Sequence, residues 1–256
     1  WCTVLTARRL ALTPRPPLPP RSGAYWERGR QKEKRAERRG RGPMILALDI
    51  GTSSTRAVLY DAETGDTVPG GSHAIAHEPD VTGDGGATLD AEALADEAAL
   101  CAATVLAGSS AAGRAVAAVA VCTFWHSFVG VDADGRARTP VLLWSDRRSA
   151  PQVARLRETM DVAAYTRRTG CPLHTSYLPG RLLWLAETDP AAYRACARFL
   201  SPGEYLFARL FGLERTTCSF SMASATGLTD QARGAWDGET LRHVPGLSPD
   251  RLSPIG

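Results

Sequence analysis

Residues Ile45 to Asp61 read ILALDIGTSSTRAVLYD, and this stretch decides the fold. Ile45-Leu46-Ala47-Leu48 is a short apolar run suited to an inner strand, and Arg56-Ala57-Val58-Leu59-Tyr60 resumes β-rich sequence after a turn. Between them, Gly51 lets the backbone approach a polyphosphate with no Cβ in the way, while Thr52, Ser53 and Ser54 supply hydroxyl and N–H donors. Asp49, at the strand end, would face those phosphates and hold Mg²⁺ directly or through water, because Mg²⁺ takes one or two carboxylates plus phosphate oxygens. Arg56 would add a charge-assisted contact. An ordinary hairpin with a Gly/Ser/Thr turn uses the same residue types. There is no Gly-x-x-x-x-Gly-Lys and no Gly-x-Gly-x-x-Gly, so neither a P-loop nor a dinucleotide fingerprint is present.

Outward from the hairpin, Asp61 to Asp66 is a turn and Thr67 to Ala76 a third antiparallel strand, followed by a Gly/Asp/Pro loop from His77 to Thr88. Asp90 is placed to cap an alanine-rich helix from Ala91 to Leu106, with Leu94, Ala98 and Cys101/Ala102 on one face. Val116 to Thr123 is then a buried strand, and Val129–Val131 with the turn at Asp132–Gly135 leads to a strand pair ending near Trp144. Further helices are expected from Ala150 to about Met160, with Pro151 in the first turn, and over Tyr177–Thr188, Pro190–Phe199 and Ser201–Phe211. Arg168 and His174 fall in a loop on this reading; Ser221, Ser224 and Thr226 form a hydroxyl-rich patch before Gly227, and Ser224 to Gly227 is a structural turn. His73, His77 and His243 show no metal-ligand spacing.

The net charge of +3 conceals two unlike parts. Residues 1–43 hold 12 of the 30 basic side chains and 3 of the 27 acidic ones, so the rest of the chain is net −6. The run PRPPLPP at 14–20 and the polar run at 27–41 leave little to bury, and residues 1–43 read as a disordered basic leader. Met44 stands directly before the first strand as the expected natural start, which makes this leader non-native and not a nucleic-acid arm. No run approaches the roughly 20 apolar residues of a spanning helix, so no membrane partner is expected. Six scattered cysteines without a C-x-x-C pair suit a reducing, cytoplasmic setting.

The segment Asp49-Ile50-Gly51-Thr52-Ser53-Ser54-Thr55-Arg56 resembles the first phosphate motif of the FGGY carbohydrate kinases. Thr123 to Ser127 at a strand end, Leu143 to Ser149 as a Trp-x-Asp-x-Arg block, and Ser201 to Asp230 with its Ala-Ser-x-Thr-Gly segment extend the resemblance. It runs from about Met44 to Gly256 and looks closest to the gluconate kinase branch. It implies an α/β fold, the actin-like ATPase (ribonuclease H-like) half-domain, with a mixed β-sheet flanked by helices. It also implies ATP and Mg²⁺ as cofactors, a sugar or sugar-acid substrate, and a homodimer of the full-length enzyme.

In such a fold the sugar lies in the cleft facing the phosphate loop. His126 could then hydrogen-bond a sugar hydroxyl or carboxylate, with Trp125 shielding it; Trp144 would offer an indole face, Asp146 an acceptor, and Arg147 a partner for Asp146 or for an anionic substrate group. Read from the residues alone, His126 and Trp144 would be ordinary structural groups and Asp146/Arg147 a surface ion pair or cap. Phe124 and Trp125 stand where the family often has Gln or Met before its substrate His, which leaves the sugar open. The resemblance puts the catalytic base, an Asp in a Gly-Asp block, beyond Gly256, along with the second domain that clasps adenine. On this reading the chain alone is weakly active or inert. A xylulose-type kinase and a non-catalytic actin-like nucleotide-binding module are the alternatives.

Overall fold

The computed structural model describes residues 3–6, 42–108, 111 and 113–256. Its centre is a mixed five-stranded sheet built on the quoted hairpin. Strand β1 is Thr3–Thr6, β2 Met44–Ile50, β3 Ser54–Asp61, β4 Thr67–Ala76 and β7 Val116–Thr123, in the order β1-β7-β2-β3-β4. β2 runs antiparallel to β3 and parallel to β7, with Ile50 opposite Thr123 and Asp49 opposite Cys122. Met44, Leu46, Leu48 and Ile50 alternate into the core from β2, as Thr55, Ala57 and Leu59 do from β3. Helix α1, Ala91–Ala107, covers this face with Leu94, Ala95, Ala98, Cys101 and Val105, and Asp90 caps it by accepting from the Ala93 N–H at 2.8 Å.

A second core lies beyond the sheet. Short strands β5 (Asp80–Val81), β6 (Ala87–Leu89) and β9 (Val141–Leu142) form one ribbon, and β8 (Val129–Val131) pairs with β10 (Arg198–Leu200). Helices α2 (Ala150–Thr159), α3 (Val162–Thr169), α4 (Leu178–Thr188) and α5 (Pro190–Ala195) pack around Phe128, Tyr165, Leu182 and Phe199, whereas α6 (Pro202–Phe211) lays Tyr205, Leu206 and Phe207 on the first core. A short helix α7, Phe220–Ser224, follows. Ser201 and Glu204 form a reciprocal capping box at the start of α6, and Gly212, at φ +63°, ends it.

The structure corrects the sequence reading at several points. Pro190–Phe199 is not one helix: α5 stops at Ala195, and Phe199 packs edge-on against Phe128 at 5.9 Å from strand β10. Pairing with β8 satisfies backbone groups that helix continuation would otherwise have used, and it buries two apolar side chains. Arg168 lies in helix α3, capped by Asp161 and closed by Gly170 at φ +68°, rather than in a loop. The His77–Thr88 segment contains β5 and the start of β6. Thr3–Thr6, read as disordered, forms β1 antiparallel to β7; an extended, β-branched run pairs the otherwise open β7 edge. The rest of that reading, residues 1–2 and 7–41, lies outside the described residues.

Candidate active site

The β2–β3 turn and the loop after β7 emerge from the same end of the sheet, because Ile50 and Thr123 are paired neighbours. Asp49 is exposed on β2 and faces exposed Arg56 across the hairpin. The Gly51 N–H donates to the Ser54 carbonyl at 2.8 Å and closes the turn. A Cβ on Gly51 would meet that carbonyl at 3.4 Å, an ordinary contact, so the chain's own packing does not demand glycine there. Close approach by a ligand would. The hydroxyls of Thr52, Ser53 and Ser54 have no partner among the described residues. Thr55 is different: fully buried, it donates to Glu97 on α1 at 3.3 Å.

The residues fit a phosphate-bound Mg²⁺ in one specific sense. No group of three His, Cys, Asp or Glu side chains able to hold a metal occurs among the described residues. One exposed carboxylate beside a phosphate turn is the arrangement for an ion completed by phosphate oxygens and water, not for an all-protein cage. Asp49 would be the residue to hold it.

Across the cleft end, His126 has φ +54°, the one positive value for a non-glycine among the described residues. Such a conformation is costly for a bulky ring side chain and persists only where its surroundings enforce it. Two bonds do so. The ring Nδ1 lies 2.6 Å from the Ala225 carbonyl, and the His126 carbonyl accepts from the Arg181 guanidinium. A carbonyl can only accept, so Nδ1 carries the proton, and in the neutral ring Nε2 is left as an acceptor. Burial, aided by the Arg181 charge, lowers the pKa of His126 and favours that neutral form.

Arg181 was missed by sequence reasoning, because an arginine in a leucine-rich helix reads as a solvated charge. It is fully buried. Its guanidinium donates to the carbonyls of Leu142 (3.1 Å), Leu143 (2.7 Å), Ser176 (2.6 Å) and His126, and stands 5.6 Å over the Phe128 ring. Desolvation brings its pKa down to about 9, so it stays charged at neutral pH. Ser127 makes a second link: its hydroxyl accepts from the Trp144 N–H at 3.1 Å and donates to the Trp125 carbonyl at 3.2 Å. The loop after β7 and the loop after β9 are thereby one rigid unit.

On that unit Trp144 is 48% exposed, which suits an indole offered to a ligand better than a core role. Trp125 meets His126 edge-on with centroids 5.7 Å apart, and Tyr177 also meets the His126 ring edge-on, at 4.8 Å. Tyr177 is a second missed residue; only the fold brings it from the start of α4 to His126. Gly227, at φ +75°, makes room, since a Cβ there would lie 2.6 Å from the Tyr165 hydroxyl and 3.2 Å from the Tyr177 Cβ. The expected turn at Ser224–Gly227 thus supplies the Ala225 acceptor for His126, and its Thr226 carbonyl accepts from the Leu178 N–H. The narrow cavity beside His126, about 20 Å³, has room for a water and not for a sugar.

Two expectations are corrected here. Asp146 is fully buried and its carboxylate is occupied: it accepts from the Ala87 N–H at 3.2 Å, the Arg148 N–H at 3.0 Å and the Arg148 guanidinium at 2.6 Å. It offers no face to a sugar and instead staples the Trp144 loop to β6. Its ion-pair partner is Arg148, which also stacks 4.2 Å over Trp184, and not Arg147. A two-residue offset in a tight turn brings the Arg148 fork back onto the carboxylate, whereas Arg147 is turned outward. The Arg147 side chain is exposed and has no hydrogen bond or ion pair among the described residues.

A Gly/Ser/Thr hairpin and an aromatic cluster around His126 at one end of a mixed sheet are the two parts of a half-domain with the actin-like ATPase fold. Residues 44–256 match the N-terminal domain of the FGGY family of carbohydrate kinases, and the chain belongs to that family. It is 37% identical over 215 residues to a xylulose kinase of Streptomyces rubiginosus, covering 84% of this chain and 42% of the relative. It is 28% identical over 214 residues to a gluconokinase of Bacillus subtilis, covering 82% and 40%. The crystal structure of gluconate kinase from Lactobacillus acidophilus superimposes with a TM-score of 0.75 at 24% identity, over 84% of this chain and 42% of that one. That likeness shows the fold. The chain therefore spans less than half the length of these relatives. No helix among the described residues is long and apolar enough to cross a membrane.

Proposed function

We propose that the protein carrying this chain transfers the γ-phosphoryl group of ATP to a hydroxyl of a sugar or sugar acid, and that this half-domain supplies the phosphate hairpin and the sugar-facing wall. One observation carries the reading: the strained His126, flanked by Trp125, Tyr177 and exposed Trp144, follows the strand that neighbours the phosphate hairpin. A non-catalytic nucleotide-binding module has no use for that cluster. Asp49, Gly51, Thr52, Ser53, Ser54 and Arg56 are assigned to the phosphates and their Mg²⁺, which would neutralise charge on the transferring group. His126 accepts from a substrate hydroxyl through Nε2, and Trp144 packs on the apolar face of the sugar ring or chain.

A xylulose-type ketose is the favoured acceptor, because a neutral imidazole acceptor suits a hydroxyl and the relatives at 37% and 35% identity are named xylulose kinases. Gluconate is the second reading, carried by Arg147, whose unpaired guanidinium three residues from Trp144 could hold a carboxylate. The test is ATP turnover by the enzyme of the complete reading frame with xylulose, gluconate, glycerol and related polyols. Turnover with none of them, by a folded protein that binds ATP, would leave the module reading standing. His126→Asn, which tolerates a positive φ, is expected to raise the sugar KM about tenfold, the worth of one hydrogen bond, with the ATP KM unchanged. If only the ATP KM moved, His126 would leave the sugar site. Arg147→Met is expected to raise the KM for gluconate at least about tenfold and leave that for xylulose within about twofold, on the order of one lost charged hydrogen bond. Equal effects on both sugars would remove Arg147 from the substrate's carboxylate.

A further inference from the structure

The phosphate hairpin is held from behind by a side chain that metal spacing and catalytic motifs both pass over. His77, just after β4, has a buried ring lodged between the hairpin and α1. Its Nε2 lies 3.0 Å from the Gly51 carbonyl, its Nδ1 lies 2.7 Å from Glu97 Oε2, and its backbone N–H donates to the Ser53 carbonyl at 3.0 Å. Thr55, on the hairpin's second strand, donates to the same Glu97 oxygen. Ring and carboxylate are 8% and 22% exposed, so water does not compete freely for these bonds.

We propose that His77 and Glu97 are a positioning pair that sets the orientation of the phosphate-binding peptide groups, acting on the phosphate donor and not on the sugar. The proposal rests on the reading of Gly51 to Arg56 as the phosphate site. In a trans peptide the carbonyl and the N–H of the next residue point in opposite directions. Anchoring the Gly51 carbonyl on the His77 ring therefore turns the Thr52 N–H away from α1, while the His77 backbone N–H on the Ser53 carbonyl ties the turn to the end of β4. The Thr52 N–H has no partner among the described residues, so it is an oriented donor left for a ligand. Both ring nitrogens face acceptors, a carbonyl and a carboxylate, which requires a proton in each bond. Glutamine at position 97 can replace that arrangement, because its amide N–H donates to an unprotonated Nδ1 while Nε2–H still reaches Gly51.

The test uses the complete-reading-frame enzyme with His77→Ala, Glu97→Ala and Glu97→Gln, read by steady-state kinetics and by amide hydrogen exchange across residues 51–54. His77→Ala and Glu97→Ala are expected to raise the ATP KM about tenfold, with the sugar KM within about twofold of wild type, as for one misaligned hydrogen bond. Faster exchange at 51–54 should accompany that rise. Glu97→Gln should restore both readouts. Equal rises in the two KM values, unchanged exchange in His77→Ala, or a Glu97→Gln enzyme as impaired as Glu97→Ala would each overturn the pair. Absence of ATP turnover in the wild type would instead overturn the phosphate-site reading, and the exchange rates would still show whether His77 holds the turn.

Discussion

Replacing Asp49 by Ala should lower kcat with Mg²⁺ and ATP by on the order of 10²–10³-fold while the sugar still binds with its wild-type affinity. The expectation comes from position. Asp49 is exposed at the end of β2, directly before the turn, and sits opposite Arg56 with no core role to lose. Its neighbours Leu48 and Ile50 are both buried in the sheet's core, so truncation at 49 leaves the packing intact. Phosphoryl transfer depends on neutralising and aligning the phosphate oxygens, and no described acidic cluster stands by to take over the metal. Calorimetric titration with sugar, beside turnover assays over a range of Mg²⁺, separates the two halves of the claim. Equal loss of sugar binding and turnover would sink the metal-phosphate role of Asp49.

Arg181→Met should have the second largest effect, this time on the fold itself. Methionine fills much of the same volume, so the change isolates the lost hydrogen bonds from cavity formation. It would remove the guanidinium from the carbonyls of Leu142, Leu143, Ser176 and His126 in a dry site; the first two keep the Phe128 and Asp146 backbone N–H groups, so Ser176 and His126 lose their donor. Each orphaned acceptor costs about 1–3 kcal/mol, so the total for the two should reach at least about 2 kcal/mol. Urea unfolding of the variant should show that loss with an unchanged slope. Sugar binding should weaken as well, because the positive φ of His126 is held partly through its carbonyl. Arg181→Lys keeps a charge but not the planar fork, and should fall between the wild type and Arg181→Met. Wild-type stability in Arg181→Met would show that water replaces the guanidinium and that the loops need no common anchor.

Much of the fold was legible in the chain because local signals agreed with the tertiary outcome. The strand pattern at Met44–Ile50, Ser54–Asp61 and Thr67–Ala76, the Asp90 cap and the Ser201/Gly212 limits of α6 are decided by side-chain alternation and by terminal backbone groups that need partners. Arg198–Leu200 was not legible, since three residues carry no period and only the edge of β8 makes them a strand. The site divides the same way. Asp49, Gly51 and Arg56 stand in one short segment whose chemistry can be read directly, whereas Arg181 and Tyr177 meet His126 across a long stretch of intervening chain.

What the sequence determined by itself was therefore the hairpin, its donors, the helix limits and the presence of His126 and Trp144 at strand ends. The tertiary structure decided which charges are spent and which remain. Asp146 and Arg148 cancel each other, Arg181 is consumed by carbonyls, and Arg147 alone of these faces outward without a described partner. The reason is that a charge's role depends on what surrounds its head group after burial. Dense packing brings together residues that are remote in sequence, and of two adjacent arginines it draws one onto a buried carboxylate while leaving the other in water.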